Sequence, residues 1–95
     1  MKPRNDLKAS AEAAAAWMLS VVQRDGVLHQ HEAVAGILDN FSPDLVHEND
    51  LGNQAISSLV LRAFRNMSEA TVVWERGDRL WRLRERHDLK GRQQA

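Results

Sequence analysis

Three histidines and a carboxylate are the residues of this chain grouped most nearly as metal ligands are: His29, His31 and Glu32, with His47 further along. Residues two apart on a strand share a face, so His29 and His31 would point the same way. Tetrahedral zinc takes three or four protein ligands, and only Glu32 or His47 stands ready to complete a set. The expectation is therefore surface histidines at a helix start, with no metal and no cofactor. A serine nucleophile needs a base to activate it, and no motif brings a histidine to Ser57 or Ser58. Gly52 and Asn53 make no phosphate-binding loop. The acids are scattered, with no pair set apart as general acid and base. The reading is a protein with no catalytic residue, no small-molecule substrate and no enzyme activity.

The remaining chemistry belongs to arginine. Formal net charge is zero, yet residues 1–52 carry four Lys/Arg against eight Asp/Glu, and residues 53–95 carry nine against five. A neutral total argues against strong non-specific attraction to nucleic acid, but the polarity leaves room for a local basic face. Arg grips phosphate or guanine in a bidentate fashion. Candidate nucleic-acid contacts are Gln54, Ser58, Arg62 and Arg65 in one segment and Arg76, Arg79, Arg82 and Arg84 in the next. Glu75, Asp78 and Glu85 sit among these arginines and dilute the field, as does the acidic "HEND" before them.

Positioning these residues requires elements, and the apolar spacing supplies them. "KASAEAAAAWMLSVVQRDG" reads as a helix: Ala is the best helix former, and Ala14, Trp17, Met18 and Val21 form one stripe at i, i+3, i+4, i+7. Ser10 is a candidate cap, and Gly26 suits the left-handed position that ends a helix. "VLHQ" predicts a brief strand. Val34, Ile37, Leu38 and Phe41 repeat the helical spacing, with Gly36 inside at a cost of about 1 kcal/mol against Ala. Ser42 and Pro43 stop this second helix, because the residue before proline is pushed out of the α region. "DLVHENDLGN" reads as a polar connection, with Asn53 capping a third helix over "QAISSLVLRAFRNMS". Its inner face would be Ile56, Leu59, Val60, Ala63, Phe64 and Met67.

"TVVWERGDRLWRLR" predicts a hairpin. With Gly77 and Asp78 at the centre of a type II′ turn, Trp74 faces Trp81 and Val72 faces Leu83, all on the buried side. A one-residue slip would mix the faces, so burial selects this register. A lone hairpin is marginal in water, so it must roof the helices. Leu61, Val73 and Leu80 would then project outward, and if they converge they make a protein-interaction patch.

Helix, short strand, two helices and a hairpin is the order of a winged helix. The expected fold is α+β and helix-dominated, a three-helix core with a C-terminal β-hairpin. The link over residues 42–52 is longer than a standard helix-turn-helix turn. The domain is expected over residues 8–87, with an arm over 1–7 and a mobile polar tail over 88–95. On the strings "DGVL", "GNQAIS", "VLRAF" and "TVVWERGDRLWRLR", the chain resembles a family of small, mostly uncharacterised bacterial proteins, some carried on mobile integron gene cassettes. The likeness covers about residues 13–84. It implies no established chemistry and carries over no catalytic residue. No cysteine is present, the first residues hold no secretory apolar run, and no stretch approaches the ~20 apolar residues of a membrane span. These features read as a cytoplasmic binding module. Its first reading is DNA binding through the third helix and wing. The alternative is homodimeric or heteromeric protein interaction.

Overall fold

The computed structural model describes residues 4–85 together with Asp88, Gln93 and Gln94. Of the expected arm over 1–7, residues 1–3 lie outside the described residues and residues 4–7 belong to the first helix; the expected tail over 88–95 lies outside them apart from those three positions. Helix α1 (Arg4–Asp25) starts earlier than the spacing predicts, so Ser10 lies within it. It ends where expected: Gly26 takes φ 81 and donates its N–H to the Val22 carbonyl at 2.7 Å. Strand β1 (Val27–His29) and helix α2 (Gln30–Asn40) follow.

The expected polar connection is more structured than its composition predicts. Ser42 caps a single 3₁₀ turn (Pro43–Leu45), accepting from the Asp44 N–H. Strands β2 (Val46–Glu48) and β3 (Gln54–Ile56) then pair as a second, two-stranded antiparallel sheet. Asn49 organises its tip, because Oδ1 accepts from the N–H groups of both Leu51 and Asn53. Helix α3 (Ser58–Ser68) therefore starts later than predicted, capped by the Ser57 hydroxyl on the Leu59 N–H and not by Asn53.

Strands β4 (Val72–Glu75) and β5 (Leu80–Leu83) take the predicted register, Val72 to Leu83 and Trp74 to Trp81. The turn differs. Pairing closes at Glu75 and Leu80, so the connection is the four residues 76–79. Its left-handed residue is Arg79 (φ 52), not Gly77. Four-residue loops are most often built around a type I turn, which makes no demand for glycine at that place. Strand β6 (Gln93–Gln94) pairs parallel with β4, giving a sheet of order β1-β5-β4-β6. Asp88 and β6 thus place part of the stretch expected to be a loose tail. The result is an α+β fold of three helices and small sheets. Among the described residues no helix is long and apolar enough to cross a membrane.

Packing explains the arrangement. Ala11, Ala14 and Ala15 are buried on α1, and their short side chains let α3 lie close. Val60 and Phe64 fill that contact, with Ser68 beneath them bonding the Phe64 carbonyl at 2.6 Å. Buried Trp81 meets Phe64 edge to face, ring centroids 5.4 Å apart and planes at 81°. Trp74 lies 4.7 Å from Trp81 but is only half-buried. Trp17 works elsewhere, packing on Phe41 and directly over Gly36.

Two substitutions test this packing by chemical or thermal unfolding. Trp81→Ala should lose about 3–5 kcal/mol, the range for a large core truncation. Gly36→Ala should also destabilise, by about 1–3 kcal/mol of overpacking. The added methyl would fall inside the Trp17 ring, outweighing the helix-propensity gain of about 1 kcal/mol.

Candidate functional site

The predicted arginine surface is only partly assembled. Arg62 and Arg65 are exposed on α3, and Arg76 and Arg79 are exposed in the β4–β5 turn. Gln54 is not on the helix; it ends the β2–β3 ladder opposite Glu48. Ser58 opens α3 and is exposed. Arg65 reaches Glu69 at 3.6 Å, one turn along, and Arg84 is half-buried.

Arg82 is used inside the fold. Its guanidinium donates to both Asp88 oxygens, at 2.7 and 2.8 Å, and to Glu75 at 2.9 Å. The Asp88 side chain is 4% exposed and that of Arg82 is 18% exposed. The hydrogen bonds it donates to Asp88, then to Glu75, hold Arg82 protonated even more firmly than usual. The expectation that Arg82 faces solvent as a phosphate ligand is thus corrected. The outer hairpin face is occupied by an ion cluster that the sequence did not disclose, because its acids lie seven residues before and six after the arginine.

The predicted apolar patch does not form either. Val73 is 0% exposed; it lies in register with Arg82, on the face where Arg82 gathers Glu75 and Asp88. Leu80 is half-buried between β1 and β4, and Leu61 is exposed on α3. Leu83, expected inside, is exposed at the strand end.

A different apolar surface takes its place. Leu59 and Met67, expected in the core, are 41% and 42% exposed. Together with half-buried Ala63 they form a stripe at i, i+4, i+8 beside the buried stripe of Val60, Phe64 and Ser68. The stripe faces Leu7 and Ala11 of α1 across an open groove of about 820 Å³. Lys8 and Glu12 rim it on the α1 side, Arg62 and Asn66 on the α3 side. The spacing was visible in the sequence. Periodicity marks a broad apolar face, but not which part of it the neighbouring helix covers.

The histidines form a capping arrangement. His29 precedes α2, and its ring Nδ1 and backbone N–H reach the same Glu32 oxygen at 2.9 and 3.3 Å. His31 lies beside it, ring centroids 5.6 Å apart, while His47 is away on β2. No group of three or more His, Cys, Asp or Glu able to hold a metal ion occurs among the described residues. A second, polar cleft runs along α2 between the two hairpin tips, lined by His31, Leu38, Asp39, Asn53, Asp78 and Arg79 among others.

Two measurements check these assignments. Arg82→Ala should destabilise by about 3 kcal/mol in urea unfolding, since it strands a buried carboxylate. The exposed Arg62→Ala should cost within about 0.5 kcal/mol. For Glu32, the hydrogen bond from the His29 ring, joined by its backbone N–H, holds the carboxyl below its ordinary value. A depressed folded value means the contribution is complete above the ordinary carboxyl range and is lost as pH falls through the folded one. The Glu32 NMR titration should therefore have a low midpoint, returning upward in His29→Ala.

No curated protein and no solved structure matches the chain. Residues 10–83, from the first turns of α1 to the end of β5, match a family model. They take in all of the groove's α3 wall and the Trp74–Trp81 pair. On that match the chain belongs to DUF6953, a family of unknown function.

Proposed function

We propose that this chain is a non-enzymatic binding module of winged-helix-like arrangement that engages protein through the α1–α3 groove. The observation that carries the reading is the exposed Leu59 and Met67, facing Leu7 and Ala11 across an open channel. Scattered exposed apolar residues are ordinary; an apolar channel with a charged rim is the form of an interaction site. The winged-helix reading is supported by the order of α1, β1, α2, α3, β4 and β5 and by the strand order β1-β5-β4. The β2–β3 hairpin between α2 and α3 is a departure from that plan.

Absence of catalysis is supported by how the hydroxyls are used. Ser57 and Ser42 cap helical turns, and Ser68 bonds a backbone carbonyl. The DNA reading loses several of its proposed ligands. Arg82 is held by Glu75 and Asp88, Gln54 lies off the helix, and Glu69, Asp78 and Glu12 accompany Arg65, the turn arginines and Arg62. A helix and wing so interleaved with acids present a weak field to phosphate.

Two assays decide between the readings. A photo-reactive residue at Met67 should give covalent adducts with protein in cells, whereas the same residue at exposed Gln23 should not. Random duplex DNA should show no binding at low salt. Binding with a log–log salt slope of about −3, the signature of three or four phosphate contacts, and its loss in Arg76→Ala/Arg79→Ala, would overturn the protein reading.

A further inference from the structure

We infer that the side of β4 away from β5 is a binding site for an extended, acid-bearing protein segment, closed in this chain by its own Asp88, Gln93 and Gln94. The way those residues are seated shows what the site accepts. The Arg84 N–H donates to the Thr71 carbonyl at 2.8 Å, and backbone groups alternate in direction along an antiparallel pair. Val73 and Glu75 therefore turn their amides to β5, and Trp74 turns its amide the other way. There β6 lies parallel, with Gln93 at Trp74 and Gln94 at Glu75. In strand addition to a sheet edge, main-chain bonds supply affinity and the side chains beside them supply specificity.

Two side chains supply that specificity. Arg82 grips the Asp88 carboxylate with both terminal nitrogens, Nη2 at 2.7 Å and Nη1 at 2.8 Å, the fork by which arginine selects a carboxylate. Glu75 takes only Nε, at 2.9 Å, so the fork serves whichever carboxylate occupies the place of Asp88. Val73, in register with Arg82, is buried yet stands apart from the core cluster beneath the sheet. An incoming segment meets the guanidinium and this apolar side chain together.

The closure is lightly held. β6 pairs over two residues where β5 pairs over four, and parallel pairing is slightly less stable per residue than antiparallel. The clasp on the Asp88 side is the ion pair, with the Asp88 carboxylate also accepting from the Glu85 N–H at 2.6 Å. Ion pairs of this burial add less to net stability than their geometry implies. Asp88 and β6 therefore open as a local unit while the Trp74–Trp81 pair and the helices stay in place. The chain's own segment acts as a stand-in for the external one and competes with it.

Amide hydrogen exchange on the full chain reads the closure. Asp88→Asn keeps the shape of the side chain, removes its charge and leaves Arg82 with Glu75. It should speed exchange at Trp74 at least about tenfold, while Val73, whose amide faces β5, keeps its original rate. Fluorescence anisotropy reads the site, with a labelled peptide of residues 85–95 of this chain as the probe. That peptide should bind the full-length Asp88→Asn/Gln94→Pro variant at least about tenfold more tightly than the unaltered chain, because the internal competitor is gone and proline cannot donate to the ladder. The same peptide carrying Asp88→Asn should bind more weakly than its parent. No speeding at Trp74, or equal speeding at Trp74 and Val73, overturns the clasp. A peptide that fails to bind the opened variant, or binds it equally well without the Asp88 charge, overturns the site.

Discussion

The edge-to-face contact between Phe64 and Trp81 holds the helical half of this protein to its sheet. Phe64 comes from the buried stripe of α3, and Trp81 from the centre of β5, the strand that pairs with both β1 and β4. Through Trp81 the contact fixes which face of the hairpin turns inward, and with it the pairing of Trp74 with Trp81. A shift of one residue would carry every side chain of β5 to the opposite face and replace Trp81 at Phe64 by a charged or smaller group. The same register would also admit a two-residue turn, so where pairing closes, at Glu75 and Leu80, is settled by the turn itself with its left-handed Arg79. The outward placement of Arg82 and Glu75, which then combine with Asp88, does follow from the register.

The second constraint is the size of the alanines on α1. Because Ala11, Ala14 and Ala15 are small, α3 approaches closely along Val60 and Phe64. A close approach along one stripe leaves the adjoining one, Leu59, Ala63 and Met67, at the lip of the contact with no covering element among the described residues. The groove is thus a consequence of good packing next to it. Two larger residues at Ala11 and Ala15 would push the helices apart and change both the core and the channel. Gly36 plays a comparable part on α2, where the absence of a side chain lets Trp17 lie on the helix backbone.

Electrostatics separates the two sides of the molecule. On the outer hairpin face Arg82 is paired with two carboxylates with little exposure, and Val73 in register with it is fully buried. Ion pairs with this degree of burial contribute less to net stability than their geometry implies, but breaking one partner is costly. They organise the face and remove an arginine from the surface. Around the α1–α3 groove the charges stay exposed and mixed in sign.

What the sequence determined by itself was local or periodic. The three helices followed from apolar spacing, the end of α1 from Gly26, and the short strand from Val27 and Leu28. The hairpin register followed from two tryptophans whose burial allows only one alignment. What only the tertiary structure decided depended on distant residues. The β2–β3 sheet has three-residue strands with no alternating pattern, so it exists by pairing and by the Asn49 turn. The start of α3 was settled by Ser57 because β3 claims Gln54 through Ile56. Arg82 resembled any surface arginine until Glu75 and Asp88 met around it. Leu59 and Met67 resembled core residues because a helix shows its whole apolar face in sequence, while the width of that face that is buried depends on how closely α1 can lie.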